Sequence, residues 1–159
     1  MLRNGQMMVL CTGALVLAVL SDVCAQSPNP SAYHPSFGDI MTMAIQPRHL
    51  KLGLAGHQGN WAYATYELRE LQSAFNRAAD AVPIYRSTDM AALIKATTAA
   101  PLAELASAIK ARDAAKFAEI YGQLTATCNA CHQSTEHDAI VIQVPRVSSY
   151  PNQDFRPQK

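Results

Sequence analysis

The chain has 159 residues, 49% of them hydrophobic, with 13 Lys and Arg against 12 Asp and Glu for a formal net charge of +1. That length supports one domain with a real core. Near-neutrality without a basic run argues against a nucleic-acid binder.

Residues 1–25 carry a charged start at Arg3, an apolar run from Met7 to Leu20 and a small-residue exit at Val23-Cys24-Ala25. This is the pattern of a secretory signal peptide, with cleavage expected between Ala25 and Gln26 and export to the periplasm. A retained membrane anchor is the competing reading. The run is short for a span of about 20 residues, and Ser21 and Asp22 end it, so no stable membrane anchor is expected. Ser21-Asp22-Val23 is also a poor lead-in for a lipid on Cys24. Cleavage would remove Cys11 and Cys24 and leave Cys128 and Cys131 as the only thiols. An exported chain with only that pair has no disulfide framework. Arg3 and Asp22 leave together, so the net charge is unchanged.

Residues 26–36 form a flexible lead rich in Pro, Ser and Asn. From Gly38 to about Gly56, Met41, Ala44, Ile45, Arg48 and Leu52 recur at helical spacing. Pro47 either kinks this helix or starts a new one at its first turn. Asn60 is the expected N-cap of a second helix, whose stripe runs through Trp61, Ala64, Leu68, Leu71, Phe75 and Ala78 and stops before Pro83. A third helical region runs from near Thr88 to about Ala111, divided by Pro101. Asp113 caps a fourth, with Phe117, Ile120, Tyr121, Leu124, Cys128 and Cys131 along one face. The expected fold is all-α: an antiparallel four-helix bundle over residues 37–134, followed by an extended tail at 135–159. In that tail Ile140-Val141-Ile142-Gln143-Val144 is bounded by Pro145, Pro151 and Pro157. It either lies across the bundle with Tyr150 and Phe155 as anchors, mediates association, or is disordered.

The most informative stretch is Cys128-Asn129-Ala130-Cys131-His132. C-x-x-C-H is the attachment spacing of c-type haem, in which each thiol adds to a vinyl group and the next histidine ligates the iron. On a helix, Cys131 is i+3 and His132 i+4 from Cys128, so all three project from one side. The competing readings are a Cys-x-x-Cys redox pair, which needs a strand before it, and a zinc half-site, which needs a second ligand pair. Neither context is visible.

The segment Ala106 to Phe117, running on to Thr127-Cys128-Asn129-Ala130-Cys131-His132, resembles the last two helices of class II c-type cytochromes. That family comprises cytochrome c-prime and its low-spin relatives, and the resemblance covers about residues 37–134. It implies thioether links at Cys128 and Cys131, one covalent haem c, and His132 as proximal ligand. Class I cytochromes fit worse, because their methionine ligand lies downstream of the motif and the last methionine here is Met90. In low-spin class II proteins the sixth ligand is a methionine early in the first helix, a placement that Met41 matches. Met43, roughly 200° further round the helix, and His49, an imidazole on the same helix, are its rivals. An open distal face, as in cytochrome c-prime, is the other arrangement. Arg48 and Lys51 are candidates to pair with haem propionates. His34, His57 and His137 are expected at the surface. The chain departs from the family after the motif, where Gln133-Ser134-Thr135-Glu136-His137 and the tail replace the usual aromatic and basic ending.

The expected function is therefore periplasmic electron transfer with redox partner proteins, not enzymatic catalysis. Association of two copies through the first two helices is a further implication of the resemblance. The alternative is a protein that binds NO or CO at an open distal site. A peroxidase ranks third, since it needs a distal acid or base such as His49 over an open iron.

Overall fold

The computed structural model describes residues 33–158. The expected signal peptide, with Cys11 and Cys24, and most of the 26–36 lead lie outside the described residues. His34–Lys159 cluster as one unit, and it is mostly helical.

Ser36 opens the first helix through a capping box: its hydroxyl accepts from the Asp39 backbone N–H while the Asp39 carboxylate accepts from the Ser36 N–H. The helix then runs in three registers, α1 (Phe37–Ile40), a π-helical segment (Met41–Ile45) and α2 (Gln46–His57). Pro47 accounts for the change. It brings no N–H and its ring crowds the carbonyl four residues back. The Gln46 N–H reaches Met41 O, five residues back. This wider turn accommodates the proline at the start of α2.

Asn60 caps α3 (Trp61–Ala81) through its side-chain oxygen, which accepts from the Tyr63 N–H at 3.2 Å. The stripe read from the sequence is buried at Ala64, Leu68, Leu71, Phe75 and Ala78. Glu67, on the same face, is fully buried as well. Its charge is met by Arg48 of α2 at 3.2 Å.

Between α3 and the next helix lies a two-residue hairpin not expected from the sequence, β1 (Ile84–Tyr85) paired with β2 (Thr88–Asp89). Arg86 in its turn has φ +54°. Strands this short show no alternation, so only the turn signals them. Asp89 caps α4 (Met90–Ala111) by accepting from the Ala92 N–H at 2.9 Å. Pro101 does not divide α4. Burial of Ile94 and Thr98 before it, and of Leu102 and Leu105 after it, holds the helix through the missing hydrogen bond. Arg112 ends α4 in the left-handed region at φ 55°, and Asp113 caps α5 (Ala114–Ser134).

Helix α2 packs on α3, α3 on α4, α4 on α5, and α2 returns to α5. At that return Gly53 and Gly56 face Tyr121 and Phe117, rings that a Cβ at either glycine would meet. The core lies between these helices, with Leu52, Leu71, Met90, Leu105, Phe117, Ile120, Tyr121 and Leu124 fully buried.

Over residues 136–158 the tail has no regular secondary structure, and it lies on this core. Tyr150 lies under Lys51 of α2, 4.5 Å from Nζ to ring centre. Phe155 is buried 5.8 Å from the Tyr63 ring. The Asn60 amide donates to Arg156 O at 3.0 Å.

Candidate cofactor site

The last turns of α5 carry Cys128, Cys131 and His132 along one side, both cysteines free and partly buried. All three line one cleft. Its other walls come from Met41, Ile45 and His49 on the first helical segment, Phe75 on α3, Ile94 on α4, Tyr85 of the hairpin, and Ile140 and Ile142 of the tail. About 190 Å³ of this cleft admits the centre of a water molecule, and about 1100 Å³ is free of protein atoms out to the solvent mouth. Helix packing thus brings Met41, 87 positions before Cys128, onto the cavity that the thiols face.

Burial pushes the Cys128 thiol up to about 11, with Cys131 adding to the effect, and burial also raises Cys131. The two thiols sit at the C-terminal end of their helix, where the macrodipole opposes a thiolate. A disulfide-exchange pair needs the reverse, a helix N-terminus and a depressed pKa. Among the described residues no three His, Cys, Asp or Glu side chains are gathered as a metal cage, so the zinc half-site finds no completing ligands.

His132 Nδ1 lies 2.7 Å from Ile140 O. A carbonyl only accepts, so Nδ1 carries the proton, which leaves Nε2 as the nitrogen that can offer a lone pair to a metal. This is the tautomer that a metal-ligating imidazole needs, fixed by a backbone acceptor.

Of the three distal candidates, Met41 lines the cleft, partly buried in the π-helical segment. Met43 is 64% exposed and absent from the cleft walls. His49 lines the cleft and is buried, but both ring nitrogens are engaged: Nδ1 lies 3.0 Å from the Tyr121 hydroxyl and Nε2 3.0 Å from Thr125 Oγ1. The Tyr121 hydroxyl also donates to His49 O at 2.7 Å, and Thr125 Oγ1 to Tyr121 O at 2.9 Å. These four links need four protons, whereas two hydroxyls and a neutral imidazole supply three. An imidazolium would supply the fourth. Burial opposes that charge and prevails, holding His49 down to about 4.

The two propionate candidates are occupied elsewhere. Arg48 pairs with Glu67 and lies 3.8 Å from Glu70, and Lys51 covers Tyr150. Neither lines the cleft, nor does any other Lys or Arg among the described residues. His34 and His57 are exposed. His137 differs from the surface placement expected for it: it is partly buried on the cleft wall, its Nε2 3.3 Å from the Tyr85 hydroxyl. The hairpin, invisible in the sequence, is what brings Tyr85 there.

Sequence reasoning also passed over Asn129, the first variable residue of the motif. Its side-chain amide exchanges two hydrogen bonds with the Ile142 backbone. Nothing in C-x-x-C-H spacing marks that position.

Compared with protein-family models, curated proteins and solved structures, the chain matches none.

Proposed function

We propose that this chain is an exported, monohaem c-type cytochrome that transfers electrons in the periplasm, built as a class II four-helix bundle. The observation that carries the proposal is one shared cavity. Two partly buried cysteines, an imidazole with Nε2 bare, and Met41 all line an otherwise largely apolar cleft. This donor set suits a haem held by thioethers at Cys128 and Cys131, with His132 and Met41 as axial ligands. Bound there, the haem would supply a one-electron couple. The chain's own residues supply attachment, ligand orientation and a low-dielectric surround. The bundle reading is supported by consecutive helix packing that closes from α2 to α5.

A thioether ligand is favoured over imidazole because His49 would have to leave Tyr121, Thr125 and its place in the core to reach an iron. His49, the residue a peroxidase reading would use as distal acid or base, instead faces Tyr121 and Thr125. Electron transfer requires partner proteins at an exposed haem edge.

The test is an oxidised-minus-reduced absorption spectrum of the protein matured with haem-attachment machinery, repeated for Met41→Ala. A low-spin spectrum with the weak red band of a methionine–iron bond, lost in Met41→Ala, is the expected result. A high-spin spectrum that shifts with CO and ignores the substitution would transfer the reading to gas binding. A chain matured without covalent haem would overturn both.

A further inference from the structure

Helix α5 ends in a turn that reverses the chain onto its own last residues. Thr135 N–H donates to Cys131 O at 3.1 Å and His137 N–H to His132 O at 2.7 Å. Glu136 between them lies in the left-handed region at φ 62°. The chain then runs back along α5 without regular secondary structure. Ile140 O accepts the His132 Nδ1 proton at 2.7 Å. Two residues on, the Ile142 N–H donates to Asn129 Oδ1 at 2.7 Å, and Asn129 Nδ2 donates to Ile142 O at 2.9 Å.

The second contact is a reciprocal pair, in which the Asn129 amide acts as a peptide group of a neighbouring strand would. It also fixes which way the amide points, since the flipped amide would set donor on donor. Ile140 and Ile142 both wall the cleft. One clip therefore closes the cavity and holds the acceptor of the histidine proton.

From this we infer that Asn129 and residues 140–142 are positioning residues for the haem, fixing the orientation and basicity of His132 through the Ile140 carbonyl. The inference rests on the haem reading above and assigns a role to a motif position and a tail that C-x-x-C-H spacing leaves open. Asn129 touches neither thiol chemistry nor the iron; it acts through Ile142, and Ile142 through Ile140. A histidine whose Nδ1–H is held by a firm acceptor is a better electron donor, which favours ferric iron. Loosening the clip therefore shifts the couple toward the reduced form.

The experiment compares wild type with Asn129→Ala, each matured with haem. Amide exchange at Ile142 is followed together with the ratio of reduced to oxidised haem at a fixed ambient potential. The expected result is at least about tenfold faster exchange at Ile142 with Leu124 unchanged, and a ratio of reduced to oxidised haem raised about tenfold, equivalent to about 59 mV for one electron. Asn129→Asp is the companion variant of equal size. It keeps the acceptor for Ile142 N–H and replaces the donor, so exchange at Ile142 rises less than in Asn129→Ala. Haem-loaded Asn129→Ala with an unchanged couple, or one shifted toward the oxidised form, overturns this inference and leaves the cytochrome reading standing. A wild type that takes up no haem overturns both.

Discussion

Gly53 gives the sharpest test of how α2 meets α5. A Cβ there would lie 2.5 Å from both Cζ and Oη of Tyr121 and 2.8 Å from Pro145 Cγ, so the methyl is blocked by a core ring and by the tail. Tyr121 cannot yield freely. It is fully buried, its hydroxyl donates to His49 O, and it stacks on Phe117 at 5.7 Å. Overpacking of this kind costs about 1–3 kcal/mol, and a displaced Tyr121 hydroxyl forfeits roughly 1 kcal/mol more. The helix preference for alanine returns about 1 kcal/mol. The net expectation for Gly53→Ala is a loss of about 2 kcal/mol, read by urea unfolding with an unchanged m-value, or as a fall of roughly 8 °C in Tm for a domain of this size. Gly122→Ala, in mid-α5, is the internal control. A Cβ there meets nothing within 4 Å, so the same substitution stabilises by up to about 1 kcal/mol. A Gly53→Ala protein as stable as wild type would refute the close approach of these helices.

Acid should weaken the fold through His49. Burial lowers its pKa from 6.5 to about 4, so between those values the unfolded chain binds a proton that the folded chain refuses. The stabilisation is complete above about pH 6.5 and lost as pH falls toward 4, by up to about 3 kcal/mol. Urea unfolding at pH 7.5 and 4.5 measures it, with His49→Gln losing most of the slope; stability that holds or rises in acid defeats the assignment. The Arg48–Glu67 pair should be asymmetric. Arg48→Ala strands a carboxylate with no exposure and costs about 3–5 kcal/mol. Glu67→Gln leaves Arg48 partly in water with Glu70 nearby and costs less. Equal losses in the two denaturation curves would count against Glu67 being charged in the core.

Local chemistry accounts for what was legible of the fold. Asn60 and Asp113 sit immediately before apolar periods, and each accepts the N–H that its position dictates. The capping signal is short-range, so the sequence carries it whole. Pro47 left two readings because a proline forbids one hydrogen bond without saying how the helix reroutes it. The π register is one answer, and burial of Ile45 and His49 on either side of the proline selects it. Glu67 was passed over because a carboxylate on an apolar stripe looks like an exposed flank until Arg48 arrives from another helix to neutralise it.

The site divides along the same line. Cys128, Cys131 and His132 are adjacent on one helix, so their convergence follows from 3.6 residues per turn alone. Met41 reaches the same cleft only through tertiary packing, and its rival His49 is set apart by contacts 72 and 76 residues away in sequence, to Tyr121 and Thr125. A histidine's availability as a ligand depends on whether other groups already hold its nitrogens, and spacing carries no record of that. The same physics separates the two histidines that matter here. His49 has a hydroxyl beside each ring nitrogen and belongs to the core, whereas His132 has one backbone acceptor and keeps one nitrogen bare. On a cleft that His137 also lines, with its Nε2 against the Tyr85 hydroxyl, this difference is what supports the proposal of His132 and Met41 as ligands.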